Sequence, residues 1–284
     1  MRFLITPNNL RADALQYART LAQTLRSDGH TPYVLQETAA CPGWQAAPVW
    51  DGRAPLDMLL IVGGDGTLLK NIRDVGRYDI PVWGVNFGHL GYLTECEPAE
   101  ADAAIGRILR GEYTTEERVL LQGQVFSGGQ PGARFLAVNE ANICRGAMAR
   151  ALRLELSVSG SFVRSLSADG LIISTPTGST AYNFSAGGPI LLPTMDCFAI
   201  TPVCPHAALG CAIVASGRDC ISVRVHIPQE EEGAPPLLVA DGCEKFTLRA
   251  GDEIRMRRAD VTLKTVKTRE QNFYAKLQRK LAEG

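Results

Sequence analysis

Apolar positions in the first hundred residues fall into short runs separated by stretches of helical spacing, the rhythm of an α/β domain built on parallel strands. Phe3-Leu4-Ile5 predicts a short strand. Ala12, Leu15, Ala18, Ala22 and Leu25 then recur at helical spacing until Gly29 ends the helix. Pro32 to Gln36 reads as a second strand, and residues 38 to 55, with three prolines, two glycines and two tryptophans but no period, read as a loop. Leu56 to Val62 contains a run of buried-strand character, Met58 to Val62, that leads straight into Gly63-Gly64-Asp65-Gly66-Thr67 and a short helix. Ile80 to Val85 is a further strand, and Ala99 to Leu109 a helix stopped by Gly111.

From about residue 112 to 266 the period changes to two. Segments such as 119–126, 152–158 and 221–227 alternate apolar and polar side chains between Gly- and Pro-rich turns, which predicts a second, mainly antiparallel β domain. Phe273, Leu277 and Leu281, with Lys and Arg between them, make residues 269 to 282 an amphipathic helix that needs a partner surface, expected on the first domain. The expected organisation is therefore 1–111 (α/β), 112–266 (β-rich) and 267–284 (helix returning to the first domain).

Composition narrows the function classes. With 29 basic and 30 acidic residues in 284, no global field favours nucleic acid or an anionic membrane, so any phosphate site must be built locally. No stretch approaches a membrane span, the short apolar run at the start is not a signal peptide, and the eight cysteines are scattered without a Cys-x-x-Cys pair. A cytoplasmic protein with reduced thiols is expected. Glu230-Glu231-Glu232 reads as a solvated loop, and the spacing of Cys197, Cys204, His206 and Cys211 fits no common zinc site.

Two segments carry chemistry. Strand, Gly63 to Thr67, then helix is an arrangement that lets backbone N–H groups and a helix N-terminus approach a polyphosphate. An aspartate inside such a loop repels phosphate; its use is to take a proton or help hold Mg²⁺, and its structural alternative is to cap the next helix through Thr67. Asp169-Gly170 to Pro189 leads a buried-looking strand into a dense run of hydroxyls and glycines, a surface suited to a flat polar ligand. Neither a P-loop nor a Gly-x-Gly-x-x-Gly fingerprint is present.

Gly63-Gly64-Asp65-Gly66-Thr67, the run Asn86 to Thr94, Asn139-Glu140, and Asp169 to Gly188 together resemble the NAD kinase family, in order and spacing, from about residue 57 onward. The Gly-Gly-Asp-Gly-Thr element is shared with other kinases; Thr175-Pro-Thr-Gly-Ser-Thr-Ala-Tyr182 is the specific part. The resemblance implies a Rossmann-like parallel sheet followed by an antiparallel β domain, with Mg²⁺ and ATP phosphorylating the 2′-hydroxyl of the adenosine ribose of NAD. It makes Asp65 the general base, Gly63, Gly64 and Thr67 phosphate-binding, and Gly66, Lys70, Asn139, Glu140, Arg150 and Asp169 substrate-binding. Thr180, Ala181, Tyr182, Asn183, Phe184 and Ser185 would hold the base ends of NAD, in a site expected between the two domains and in a homo-oligomer, usually a tetramer. The bland reading of Lys70 and Arg150 is a solvated surface.

Some positions depart from the family pattern. Ser167 stands where a basic residue is frequent, Cys243 where Gln is common, and Ala207-Ala208-Leu209-Gly210 is not family-like; Arg164 is a candidate replacement for the missing cation. Two alternatives stand beside the kinase reading: a lipid kinase sharing the glycine loop, disfavoured by the hydroxyl-rich 174–185 run, and a non-catalytic NAD(P)(H) sensor, disfavoured by retention of Asp65. ATP against polyphosphate as donor and NAD against NADH as acceptor stay open on the sequence.

Overall fold

The computed structural model describes residues 1–44, 47–75, 79–88, 91–147, 150–206, 210–227, 235–270 and 272–283, the side chains of 73–75 and 283 excepted. His89-Leu90, Ala207-Ala208-Leu209 and Glu230-Glu231-Glu232 lie outside the described residues. The chain divides into two compact units, Met1–Glu117 with Leu263–Gly284, and Arg118–Thr262.

In the first unit, β1 (Arg2–Pro7), β2 (Thr31–Val34), β3 (Met58–Gly63) and β4 (Val82–Asn86) pair in parallel in the order β2-β1-β3-β4. Every residue of β3 and β4 is buried, as an apolar run covered on both faces requires. Helix α1 (Ala12–Ser27) buries Ala14, Ala18, Leu21, Ala22 and Leu25, the stripe the spacing predicts shifted slightly toward Leu21, and Gly29 ends it at φ +80, where a side chain would be strained. The core joins this stripe to Phe3, Ile5, Leu60, Val62 and Val85 and to Ala101, Ile105 and Ile108 of α4 (Pro98–Leu109). Where the expected second strand (Pro32 to Gln36) gives way to the expected loop (38 to 55), β2 already ends at Val34 and residues 36–39 form a single helical turn, α2 (Gln36–Ala39). Helix α3 (Asp65–Val75) follows β3 after Gly64.

The second unit is antiparallel. A six-stranded sheet runs β12 (Ile213–Ser216), β11 (Cys197–Val203), β10 (Gly170–Ser174), β7 (Glu140–Cys144), β14 (Leu237–Ala240), β15 (Glu244–Thr247). Facing it are β16 (Glu253–Lys267), β13 (Ile221–His226), β8 (Leu152–Val158) and β9 (Ser161–Ala168), with β5 (Thr114–Ser127) and β6 (Gln130–Ala137) attached through β16. Leu154, Leu156, Ile221, Val223 and Met256 from one sheet and Ile143, Leu171, Ile173, Phe198 and Leu238 from the other share one core. Strand β16 leaves this unit to pair, at Thr265, with Val82 of β4 in the first. Helix α6 (Phe273–Glu283) therefore belongs to the first unit, as its apolar stripe predicts. All eight cysteines are free thiols, and no described helix is long and apolar enough to cross a membrane.

Candidate active site

In the first unit the glycine turn is shaped by close approach. A Cβ on Gly63 would overlap the Thr67 side chain, whereas the space around Gly66 is open. Thr67 and Leu68 donate their N–H groups to the Gly64 carbonyl, at 3.0 and 3.3 Å, so the turn's own backbone starts α3. Asp65 is not the cap: its carboxylate is turned away from α3. Its Oδ2 accepts from the Tyr92 N–H (2.7 Å); its Oδ1 accepts from the Leu93 and Thr94 N–H groups (both 3.1 Å) and the Thr94 hydroxyl (3.3 Å). A Cβ at Gly91 would overlap this carboxylate, which explains a glycine there. The helix-cap alternative is thereby corrected, because the acid's partners lie 27 to 29 residues away rather than in its own first turn. Gly66, next to Asp65 in the first turn of α3, is exposed, and a helix start is where N–H groups ahead of the first helical bond meet an anion.

Lys70 lies on the exposed face of α3 and makes an ion pair with Glu37 of α2 at 3.0 Å, both side chains about half exposed, a contact of small energetic weight. Asn86 closes the neighbouring turn by accepting the Gly88 N–H on its Oδ1, and Phe87 donates its N–H to the Gly63 carbonyl.

In the second unit Asn139 and Glu140 stand at the start of β7, opposite Ser174 of β10. Asp241, at the end of β14 with φ +48, receives the Val138, Asn139 and Glu140 N–H groups on its carboxylate at 2.7, 2.7 and 3.1 Å. Glu140 is 8% exposed, and its Oε2 is buried with no hydrogen-bond partner among the described residues. Burial first, and the neighbouring Asp241 charge second, push its carboxyl up to about 7. Asp241 is raised too by burial, but its three N–H donors favour the charged form, so the proton of the pair belongs on Glu140. Sequence reasoning missed Asp241; the signal available was the Asp-Gly turn after the apolar run 237–240.

The hydroxyl-rich run is largely scaffold. Thr175 donates its hydroxyl to the Val138 carbonyl and its N–H to that of Asn139, and a Cβ on Gly178 would overlap the Asn139 backbone. The Ser179 hydroxyl donates to the Pro176 carbonyl and accepts the Leu191 N–H. Asn183 is fully buried: its amide donates both N–H groups to the Ser179 and Pro189 carbonyls and accepts the Thr201 hydroxyl, so its side chain holds the turn together and is out of reach of a ligand. Thr180 and Ala181 are half-buried, while Tyr182, Phe184 and Ser185 face outward. Asp169, half-exposed before β10, pairs with Arg145 at 3.0 Å, a cation the sequence reading did not single out beside the unusual Ser167. Arg150 is exposed. Among the described residues no group of three or more His, Cys, Asp or Glu side chains is placed to hold a metal ion.

Comparison with known proteins bears on both halves. Residues 49–113 match the ATP-NAD kinase N-terminal domain and residues 138–268 the ATP-NAD kinase C-terminal domain. The chain is 42% identical over 237 residues to an NAD kinase of Symbiobacterium thermophilum, covering 84% of this chain and 82% of that one. It is 35% identical over 274 residues to an NAD kinase of Syntrophotalea carbinolica, covering 96% and 95%. Among solved structures, a yeast NADH kinase complexed with NADH shares the fold at a TM-score of 0.90 and 20% identity, covering 99% of this chain and 87% of its own. An NAD kinase from Archaeoglobus fulgidus in complex with ATP gives 0.72 and 23%, covering 98% and 99%. With family models matched over most of its length and relatives above 30% identity along nearly all of it, the chain belongs to the NAD kinase family.

Proposed function

We propose that this ATP-dependent NAD kinase uses Asp65 as the general base for the 2′-hydroxyl of the adenosine ribose of NAD. Gly63, Gly64, Gly66 and Thr67, with the first turn of α3, take phosphate oxygens. Asn139 and Glu140 hold ribose hydroxyls. The exposed Tyr182, Phe184 and Ser185, with Thr180, Ala181 and Asp169, take the flat ends of the dinucleotide. Asn183 supports that segment from behind. Lys70 would have to exchange Glu37 for a phosphate, and the weak pair permits the exchange.

The observation that carries this reading is the buried Oε2 of Glu140. A buried carboxylate oxygen without a donor costs free energy unless a ligand supplies one, and a vicinal diol supplies two. Oδ2 of Asp65 receives one N–H, leaving capacity for a further proton donor. Phosphoryl transfer asks mainly for positioning and charge neutralisation, which suits this sparse apparatus. The described residues form no carboxylate cage, so Mg²⁺ fits as part of the Mg·ATP substrate, held chiefly by phosphate oxygens. Incubating pure protein with NAD, ATP and Mg²⁺ should yield NADP detectable with an NADP-specific dehydrogenase; no NADP with either ATP or polyphosphate as donor would overturn the reading.

The free thiols support a reducing compartment, the cytoplasm. Assembly into a homo-oligomer, expected as a tetramer, is supported by Phe162 and Val163 on β9 and Val214 on β12, which are exposed on strands ending their sheets. Light scattering at micromolar concentration should give a multiple of the monomer mass; a monomer alone would count against it.

A further inference from the structure

The Asp65 carboxylate is held by backbone N–H groups, and that backbone is in turn held by the C-terminal helix. Four positions of α6 are half-buried at helical spacing, Phe273, Lys276, Leu277 and Lys280, and the rest of its described side chains are exposed. Three of these four meet the 92–94 segment. Lys276 donates from Nζ to the Thr94 carbonyl at 3.1 Å, the Lys280 ammonium stands 4.3 Å from the centre of the Tyr92 ring, and the Phe273 ring lies 6.2 Å from the same ring. Tyr92 and Thr94 are the residues whose N–H groups bond the two oxygens of Asp65. The entry to α6 is fastened nearby, with Glu95 accepting the N–H and hydroxyl of Thr268 and Arg269 pairing with Glu100 at 2.6 Å.

The geometry points to Lys276 and Lys280 as positioning residues for phosphoryl transfer. By fixing the Tyr92 ring and the Thr94 carbonyl, they fix the N–H groups that set the direction of the Asp65 carboxylate. A general base must lie within hydrogen-bond reach of the proton it takes, so a segment free to shift by an ångström lowers turnover without altering how the second unit binds NAD. The inference rests on Asp65 being the base, and goes beyond it by assigning part of the rate to a helix that presents no group to the reaction. Because α6 buries none of its described side chains fully, its hold on the segment depends on these few polar and aromatic contacts rather than on a deep core.

The test compares Lys276→Met, which keeps the stem and removes the donor, with Lys276→Arg, which restores a donor. The guanidinium has room because Lys276 borders a cavity of about 450 Å³ lined also by Asn86, Glu97 and Arg279. Lys276→Met should lower kcat about tenfold, with KM for NAD within twofold, and should speed hydrogen exchange at the Tyr92 to Thr94 amides, while Lys276→Arg returns both toward the parent. Unchanged amide exchange in Lys276→Met overturns the proposal, as does faster exchange with unchanged kcat, or a loss in thermal midpoint and KM that arginine fails to rescue. The base assignment is judged separately, by Asp65→Asn in the parent background: an active Asp65→Asn enzyme rejects the base, whereas normal amide exchange in Lys276→Met rejects the positioning role.

Discussion

Asp65→Asn should lower turnover by at least about a hundredfold, the loss expected when a positioned base is removed from a reaction at a hydroxyl. A secondary hydroxyl is a poor nucleophile, and a carboxylate can take its proton as the bond to phosphorus forms. Asparagine has nearly the same shape but no basic oxygen. The structure adds a second consequence. The carboxylate accepts from Tyr92, Leu93 and Thr94 with both oxygens, whereas an amide offers one carbonyl and turns an NH₂ toward either the Tyr92 N–H or the Leu93 and Thr94 N–H groups. One or more of these donors loses its acceptor, at about 1–3 kcal/mol for a buried donor left unpaired. The thermal midpoint should therefore fall as well as the rate. Affinity for NAD, measured by calorimetry on the same variant, should hold or rise, because a negative charge beside the substrate phosphates is gone. Near-parental turnover in Asp65→Asn would refute the base assignment. Loss of NAD binding in parallel with turnover would show that Asp65 serves the fold alone.

The hold of Asp65 on the 92–94 backbone was hidden in the sequence for a definable reason. The glycine-rich turn after a buried strand was legible, since an unbroken apolar run from 58 to 62 followed by two glycines leaves few local alternatives. What the turn's acid does is decided by amides 27 to 29 residues further on, and no local pattern encodes that pairing. Asn183 shows the same limit in reverse. It falls within a segment matching a binding motif, but its amide is buried against Thr201 and the Ser179 and Pro189 carbonyls. The single turn α2 was missed because four residues carry no period, and its Glu37 is what occupies Lys70. By contrast α1, α4 and α6 were each visible as a stripe, because a helix that must bury one face repeats its apolar residues whatever lies opposite.

Glu140→Gln separates binding from stability through pH. In the folded protein the Glu140 carboxyl is pushed up to about 7 from an ordinary 4.5, by burial and then by Asp241. A carboxyl raised in this direction is bound to a proton more readily when folded than when unfolded. The contribution of this group to stability is therefore full below about pH 4, declines as pH rises between the unfolded and folded values, and levels off above about pH 8 at a cost of about 3 kcal/mol. Glutamine carries no charge and escapes that decline. Glu140→Gln should accordingly match the parent in thermal midpoint near pH 5 and exceed it at pH 8, the reverse of what a simple loss of a native side chain would give. Binding should move the other way. A ribose hydroxyl donating to Oε2 favours the ionised carboxylate, so NAD affinity of the parent should increase from pH 6 to 8 with release of a proton, and Glu140→Gln should bind more weakly at pH 8, by roughly 1.5–3 kcal/mol, with little pH dependence. Calorimetric titrations with NAD at several pH values, beside thermal scans without it, give both slopes. A variant less stable than the parent at pH 8, with unchanged NAD affinity, would make Glu140 a structural partner of Asp241 and leave the ribose to be held by Asn139 alone.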